Sequence, residues 1–196
     1  MPRAGLDPAA VVAAGAALAD ETGLAGLTMG LLAERLGVRT PSLYKHVDSL
    51  EALQRGIAVG AKRDLGAALA RATAGKSGAD AIRAFAGTYR RWALDHPGRY
   101  AASVRAPAPG DEEDRQVSED GLSFLYDVIA GFGLRESRAV DAVRALRSAI
   151  HGFASLEAAG GFGLPRDIDR SYDFVVDTLI LGLRAAGGDD AGAAEP

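Results

Sequence analysis

Apolar residues recur every three or four positions along most of the chain, and the alternation of β-branched residues that would indicate strands is almost absent. Helices are therefore the elements that can bury these side chains, and 196 residues are enough for a substantial core in one or two domains. After residue 47 the pattern predicts helices over about 48–72, from Ser77 to His96, over 122–132, 135–159 and 167–186. We predict an all-α fold.

Residues 28–39 predict a short helix that ends in a tight turn. Thr28 is suited to cap the N-terminus of this helix, and the apolar positions Leu31, Leu32 and Leu36 follow at helical spacing. Gly37 marks the end of the helix, because glycine adopts the left-handed conformation at little cost. A second helix that begins soon after this turn would complete a helix-turn-helix.

That second helix is predicted over residues 40–47. Thr40 provides a capping hydroxyl and Pro41 suits the first helical position. Helical geometry places Leu43 and Val47 on one buried face. The remaining side chains form an outer face suited to an anionic surface: Pro41, Ser42, Tyr44, Lys45 and, nearer the buried edge, His46.

Charge is distributed unevenly along the chain. The formal net charge is -4, yet residues 1–63 hold seven basic against six acidic residues, so the rest carries -5. Between residues 35 and 47 the charged residues are Arg35, Arg39 and Lys45, with no acid among them. Because attraction to phosphate depends on the local field, any nucleic-acid binding is expected in this first third of the chain.

Residues 7–55 resemble the DNA-binding domain of the TetR/AcrR family of bacterial transcriptional regulators. The similarity runs from "DPAAVVAAGAALADETG" through "LTMGLLAERLGVRTPSLYKHV" to "DSLEAL", with the Gly37 turn and the Leu43-Tyr44-x-His46 signature in register. Carried over by position, the family's phosphate contacts fall on Thr28, Tyr44 and His46. Its contacts at base edges fall on Arg39, Thr40, Pro41, Ser42 and Lys45. In addition, "IHGF" at 150–153 resembles the motif of the WHG subfamily of C-terminal domains, with Ile150 in place of tryptophan.

The resemblance implies a homodimer that binds a palindromic operator, most often as a repressor, and is released by a small molecule. It implies a three-helix helix-turn-helix domain over residues 1–47 and a helical regulatory and dimerisation domain over 48–187, connected by the fourth helix. The glycine-rich end, 188–196, is expected to be a disordered tail. No signal-peptide pattern and no apolar run of about 20 residues occurs. We therefore expect a cytoplasmic protein without membrane partners, and no cofactor.

The predicted regulatory helices supply candidates for a ligand pocket and for a dimer interface. Pocket candidates are the aromatic residues at helical spacing and one histidine, any of which could equally be core: Phe85, Tyr89, Trp92, Tyr100, Phe124, Tyr126, His151 and Phe153. The wide apolar stripe of the last helix supplies the interface candidates: Tyr172, Val175, Val176, Leu179, Ile180 and Leu183.

Other classes of site have weaker support. The chain lacks cysteine, and its three histidines lie far apart without a hydrolase or nucleotide-binding motif, so we do not expect an enzyme or a metal site. The acids at 111–114 are explained by the dipole of a helix start, and the glycines at 160–163 by a helix end. A helical enzyme or a dimerising scaffold remain the alternatives to a DNA-binding regulator.

Leu50 departs from the family pattern, which usually has lysine at this position. Either the N-terminus of the fourth helix faces DNA here without a side-chain cation, or Leu50 packs under Tyr44 and the first helix while Arg55 serves the phosphate.

Overall fold

The structure is a computed structural model that describes residues 6–188. Nine α-helices and one short 3-10 helix make up the regular structure of this part of the chain, which contains no strand, as the all-α prediction requires. The helices are α1 (Pro8–Thr22), α2 (Met29–Leu36), α3 (Thr40–Leu43), α4 (Leu50–Thr73), α5 (Gly78–Asp95), α6 (Pro97–Ser103), α7 (Glu112–Ala130), α8 (Glu136–Ala158) and α9 (Ile168–Gly188). The predicted tail begins at Gly188, which is the last residue of α9, and residues 189–196 lie outside the described residues.

The described residues divide into two compact units. The first comprises the chain up to Asp64 together with Asp95–Ser118, and the second comprises Leu65–Leu94 and the chain from Glu119 onward. The first unit thus contains more than the helix-turn-helix, because the first half of α4, all of α6 and the start of α7 belong to it. The expected functional boundary between residues 47 and 48 falls inside this unit.

Helix α6, which the sequence pattern did not reveal, packs closely against α1. A Cβ at Gly98 would overlap the backbone carbonyl of Ala19, so only glycine permits this approach. Asp20 accepts hydrogen bonds from the backbone N–H of Arg99 at 2.8 Å and from its Nε at 2.6 Å. These contacts fix α6 on α1, and Ala102 of α6 joins the apolar core of the first unit.

The core of the first unit supports the predicted helix-turn-helix. It is built from side chains of α1, α2, α3 and α4 that are almost completely buried: among them Val11, Leu18, Leu32, Leu43, Leu53 and Ile57. Burying a side chain of this size stabilises the fold by about 1.5–3 kcal/mol. The short helices α2 and α3 are therefore held by their apolar sides, which leaves their polar sides exposed.

The second unit is built on α5, α8 and α9 with the later part of α7. Its core contains Phe85 of α5, Ile129 of α7, Ile150 of α8 and Tyr172 of α9. The Tyr172 hydroxyl donates a hydrogen bond to the Ala86 carbonyl at 2.7 Å, and burial raises the pKa of this phenol. Gly160 has φ 68°, and Gly161 donates to the Leu156 carbonyl at 2.7 Å, so these glycines end α8 as predicted.

Candidate nucleic-acid interface

Helix α2 begins and ends where the sequence predicts. The Thr28 hydroxyl oxygen accepts a hydrogen bond from the backbone N–H of Leu31 at 3.2 Å, and Gly37 adopts the left-handed conformation with φ 66° and ψ 32°. Of the apolar positions at helical spacing, Leu32 is fully buried and Leu36 is partly buried. Leu31 is 43% exposed, whereas Met29, Leu32 and Ala33 form the buried side of α2.

Helix α3 is shorter than predicted, and Thr40 is its first helical residue rather than its cap. Arg39, not Thr40, is the N-cap residue, and it makes no side-chain capping bond. Pro41 remains compatible with the second helical position, because the first four N–H groups of a helix have no intrahelical partner. The regular α-helix ends at Leu43. Hydrogen-bonded turns continue as far as His46, whose N–H donates to the Leu43 carbonyl at 2.9 Å.

The two faces of this segment are divided as predicted. Leu43 and Val47 are buried, whereas Pro41, Lys45 and Arg39 are exposed. Tyr44 is 50% exposed, and Thr40, Ser42 and His46 are half-buried between the two faces. Among the residues that the structure describes, no carboxylate lies within ion-pair distance of Arg39 or Lys45. Their positive charge is therefore available to an external anion.

Arg35 contributes less to this basic surface than its position suggests. Its guanidinium binds both carboxylate oxygens of Glu21 of α1, at 2.5 and 2.7 Å. The hydrogen bonds from Arg35 lower the pKa of the Glu21 carboxyl, so the pair is an ion pair at neutral pH. Residues 36–47 after Arg35 contain no acid, but Glu21 lies beside Arg35 in space.

Leu50 lies at the first position of α4. The Ser49 hydroxyl oxygen caps this helix by accepting from the Ala52 N–H at 3.1 Å, in agreement with the predicted start. The Leu50 side chain is partly buried and packs against the core of the first unit. Leu50 is thus both the first residue of α4 and part of the packing around this core.

Arg55 is engaged within the chain. Its guanidinium donates to both oxygens of Asp111 at 2.6 Å and to Glu113 at 2.9 Å. Two turns further along α4, Lys62 donates to Asp114 at 2.6 Å, in an ion pair whose side chains are 9% and 4% exposed. The acids at 111–114 thus do more than complement a helix dipole, because they bind three basic residues of α4: Arg55, Lys62 and Arg63.

Comparison with known proteins supports the assignment of this interface. Residues 11–55 match the family model described as "Bacterial regulatory proteins, tetR family", and residues 82–179 match "Tetracyclin repressor-like, C-terminal domain", which alone spans half of the chain. The chain belongs to the TetR family. It is therefore a transcriptional regulator with a helix-turn-helix DNA-binding domain, in agreement with relatives that are named HTH-type transcriptional regulators.

Individual TetR-family relatives agree with this assignment. An uncharacterized HTH-type transcriptional regulator from Mycobacterium tuberculosis, Rv0681, is 38% identical over 85% of this chain and 74% of its own length. The uncharacterized HTH-type transcriptional regulator YobS from Bacillus subtilis is 32% identical over 93% and 95% of the two chains. Among solved structures, a TetR variant from Acinetobacter baumannii AYE in complex with minocycline has a TM-score of 0.70 at 26% identity, over 93% and 98% of the chains.

Several aromatic pocket candidates of this TetR-family chain are in contact with other rings. Phe85, Tyr89 and Phe124 lie together in the second unit. The ring centroids of Tyr89 and Phe124 are 5.7 and 6.1 Å from the ring centroid of Phe85. Phe153 packs instead on Tyr172 and Phe162, at 4.9 and 4.7 Å.

The other pocket candidates differ in burial and in the unit to which they belong. Trp92 is buried, Tyr126 is 38% exposed, and Tyr100 belongs to the first unit. His151 is half-buried, with Nδ1 3.5 Å from the Ser155 hydroxyl.

The interface candidates on α9 point mainly into the chain's own core. Tyr172, Val176, Ile180 and Leu183 are at most 7% exposed in the single chain, and Val175 and Leu179 are half-buried beside them. The exposed apolar residues of α9 are Phe174 at 72% and Leu181 at 64%, which the predicted stripe did not include. The stripe of α9 is partly covered by α5 and α8 of the same chain, for example where the Tyr172 hydroxyl donates to the Ala86 carbonyl and its ring packs on Phe153.

No helix within residues 6–188 has the length and apolar content needed to cross a lipid bilayer.

Proposed function

We propose that this TetR-family protein is a homodimeric repressor that binds a palindromic operator and is released by a small molecule. The observation that carries the proposal is the outer face of α3, where Arg39 and Lys45 are exposed without an ion-pair partner while Leu43 and Val47 anchor the segment. Because its target is chromosomal DNA, the protein acts in the cytoplasm. A relative named tetracycline repressor protein class D, from Escherichia coli, is 34% identical over 67% of this chain and 58% of its own length.

The proposed DNA contacts follow from the exposed groups. Arg39, Thr40, Pro41, Ser42 and Lys45 lie at base edges, since the segment after the turn enters the major groove in helix-turn-helix proteins. The phosphate contacts fall on three further residues, Thr28, Tyr44 and His46. Thr28 can contribute because its oxygen accepts the Leu31 N–H, which leaves its own O–H to donate to a phosphate.

The dimer is proposed to form through the exposed side of α9. Phe174, Thr178 and Leu181 follow one another at helical spacing on this side, and Leu156 of α8 is 53% exposed. An apolar groove of about 370 Å³ between α8 and α9 is lined by small and aliphatic residues that include Ala142, Ala145 and Gly182. Large exposed apolar groups beside such a groove fit a second copy of the same surface, as an isologous interface requires. In this arrangement Val175 and Leu179 lie at the edge of the interface.

Release of DNA requires a ligand that binds one arrangement of the dimer better than another. We expect an apolar or aromatic compound, because the second unit contains the Phe85, Tyr89 and Phe124 rings as an adaptable apolar wall. A compound of this kind should raise the melting temperature and weaken DNA binding together. If every stabilising compound leaves DNA affinity unchanged, the inducible part of the proposal fails.

Selection from a random duplex library tests the DNA-binding part. The wild-type protein should enrich an inverted repeat whose half-sites are one helical turn apart, about 34–36 Å. The same selection with Lys45→Ala should relax the preference at one position of each half-site. Absence of any enriched sequence with folded, dimeric protein would leave the scaffold alternative as the better account.

A further inference from the structure

A cleft of about 670 Å³ lies between α5 and α9, away from the exposed apolar side of α9. Its walls carry three arginines of α5 and three aspartates of α9, above a floor that includes Tyr172 and Val176. The charged residues are Arg83, Arg90, Arg91, Asp169, Asp173 and Asp177. Oppositely charged residues that face each other on two packed helices are expected to form ion pairs. The charged residues without an ion-pair partner are therefore the ones that indicate a possible ligand.

Two ion pairs cross the cleft in antiparallel register. Arg83 binds Asp177 at 2.9 Å, and Arg90 binds Asp169 at 2.8 Å. Arg90 is held further by Glu157, with two hydrogen bonds of 2.6 Å, and its guanidinium lies 4.7 Å from the centroid of the Tyr172 ring. The two pairs are seven residues apart on α5, which corresponds to about 10 Å along the helix.

A third pair is missing between them. In this register the residue of α5 opposite Asp173 is Gly87, which lies midway between Arg83 and Arg90 and has no side chain. A Cβ built on Gly87 meets no atom within 4 Å, so the space above it is open. Within the part of the chain that the structure describes, no basic side chain is in ion-pair contact with Asp173. Of the three aspartates of α9 that line the cleft, Asp173 thus has no cationic partner among the described residues.

We infer that this cleft binds a small molecule with one ammonium or guanidinium group, which occupies the space above Gly87 and pairs with Asp173. The Tyr172 and Val176 side chains below, with Leu94 at one end, provide apolar contact for the body of the ligand. Arg91, which also lines the cleft and has no ion-pair partner among residues 6–188, disfavours a second positive charge on the ligand. The inference goes beyond the proposed function, because Phe85, Tyr89 and Phe124, the rings proposed for the inducer, do not line this cleft and its occupancy does not depend on DNA.

Phenethylamine is a suitable probe, since it joins one ammonium group to an aromatic body, and 2-phenylethanol has the same body without the charge. In a titration followed by ¹H–¹⁵N NMR of the full chain without DNA, phenethylamine should shift the Gly87 and Asp173 amides saturably. The Gly152 amide of α8, which does not line the cleft, serves as the internal reference. Binding should weaken as salt is raised, because the pairing is electrostatic and solvent-exposed.

Variants at Gly87 and Asp173 provide the decisive comparison. Gly87→Ala leaves the space open and should retain binding, whereas Gly87→Arg supplies the missing cation in cis and should abolish it. Asp173→Asn should weaken binding about tenfold, the loss of one charge-assisted hydrogen bond. Asp127→Asn, which removes the same charge from an exposed position on α7, is the matched control and should bind like the wild type.

The inference is overturned if phenethylamine produces no saturable shift at Gly87, or if 2-phenylethanol binds equally well. It is also overturned if Asp173→Asn or Gly87→Arg binds phenethylamine like the wild type. All variants are on exposed or partly exposed positions, and their melting temperatures show directly whether each is folded. Because DNA is absent from every measurement, these outcomes are separate from those that test the proposed operator binding.

Discussion

The exposed face of α3 and the exposed side of α9 present surfaces of opposite chemistry. In the segment that contains α3, the exposed side chains without an ion-pair partner in the described chain are the cations Arg39 and Lys45. The half-exposed Tyr44 lies beside them. On α9 they are the apolar Phe174 and Leu181. In each region, a side chain of the same kind only a few residues away has its partner within the chain. Arg35 pairs with Glu21, and Ile180 is buried in the core.

This difference indicates two different kinds of partner. Association through α3 should weaken steeply as salt is raised, because binding to DNA releases counterions from phosphates. Association through α9 should depend little on salt, because burial of apolar surface drives it. Replacing a satisfied and an exposed side chain of the same region should therefore have different effects on stability and on association.

The largest effect is expected for two adjacent residues of α9. Ile180→Glu places a carboxylate in the core, where Ile180 is 2% exposed, and should cost more than about 5 kcal/mol of unfolding free energy, enough to unfold a domain of ordinary stability. Leu181→Glu changes a side chain that is 64% exposed, so the fold should persist while the proposed dimer dissociates. Circular dichroism and light scattering measure the two outcomes. A dimeric, fully stable Leu181→Glu protein would show that this side of α9 is not the interface.

The next effect concerns two lysines of the first unit. Lys62→Met leaves the Asp114 carboxylate buried without its cation and should cost about 3–5 kcal/mol of unfolding free energy. Lys45→Met, at an exposed position, should change stability by less than about 0.5 kcal/mol. Urea unfolding compares the two. The double variant Lys62→Met/Asp114→Leu should recover most of the loss, and failure to recover would mean that packing, not charge, accounts for the effect of Lys62→Met.

The sequence predicts the helices and the faces of α2 and α3 well, because these depend on local residues. The Thr28 cap, the Gly37 turn and the burial of Leu43 follow from spacing and conformational preference alone. The partners of Arg35 and Lys62 could not be predicted in this way, since Glu21 is 14 residues away and Asp114 is 52 residues away in the chain. Which apolar side of α9 is buried depends likewise on distant helices, because periodicity shows a stripe but not what covers it.

A smaller effect is expected for DNA binding by the exposed cations. Lys45→Ala should cost about 1–3 kcal/mol of operator binding if the side chain reaches a base edge. Arg35→Ala, which removes an equal charge already paired with Glu21, should cost less. Mobility-shift titrations on the selected operator measure both. Equal losses for the two variants would mean that the ion pair with Glu21 does not withhold Arg35 from DNA.

Replacement of Leu50 is expected to change the affinity for DNA by a still smaller amount. This residue is partly buried and also lies next to the proposed phosphate contacts. Leu50→Lys should steepen the slope of log K against log salt by nearly one unit per subunit, because one more cation reaches the backbone. It should also cost about 1 kcal/mol of stability through lost apolar contact with the core. Salt titrations on operator and on random DNA should show the same change in slope. An unchanged slope with lower stability would assign Leu50 to packing alone.

The smallest effect is expected from acid, at the ion pairs that tie α4 to the start of α7. Hydrogen bonds from Arg55, and then the backbone N–H of Asp114, lower the pKa of the Asp111 carboxyl from 3.8 to about 2. A group whose pKa is lower in the folded protein contributes stability above its unfolded pKa, and this contribution is lost as pH falls through the folded value. The wild type should therefore lose stability more steeply between pH 4 and pH 2 than Asp111→Asn, which keeps a side chain able to cap α7 but cannot ionise. Arg55→Gln removes the main cause of the lowered pKa and should flatten the same part of the curve. Parallel curves for the wild type and both variants would show that the Arg55–Asp111 pair adds nothing to stability, in which case α4 is held to α7 chiefly by the buried pair of Lys62 and Asp114.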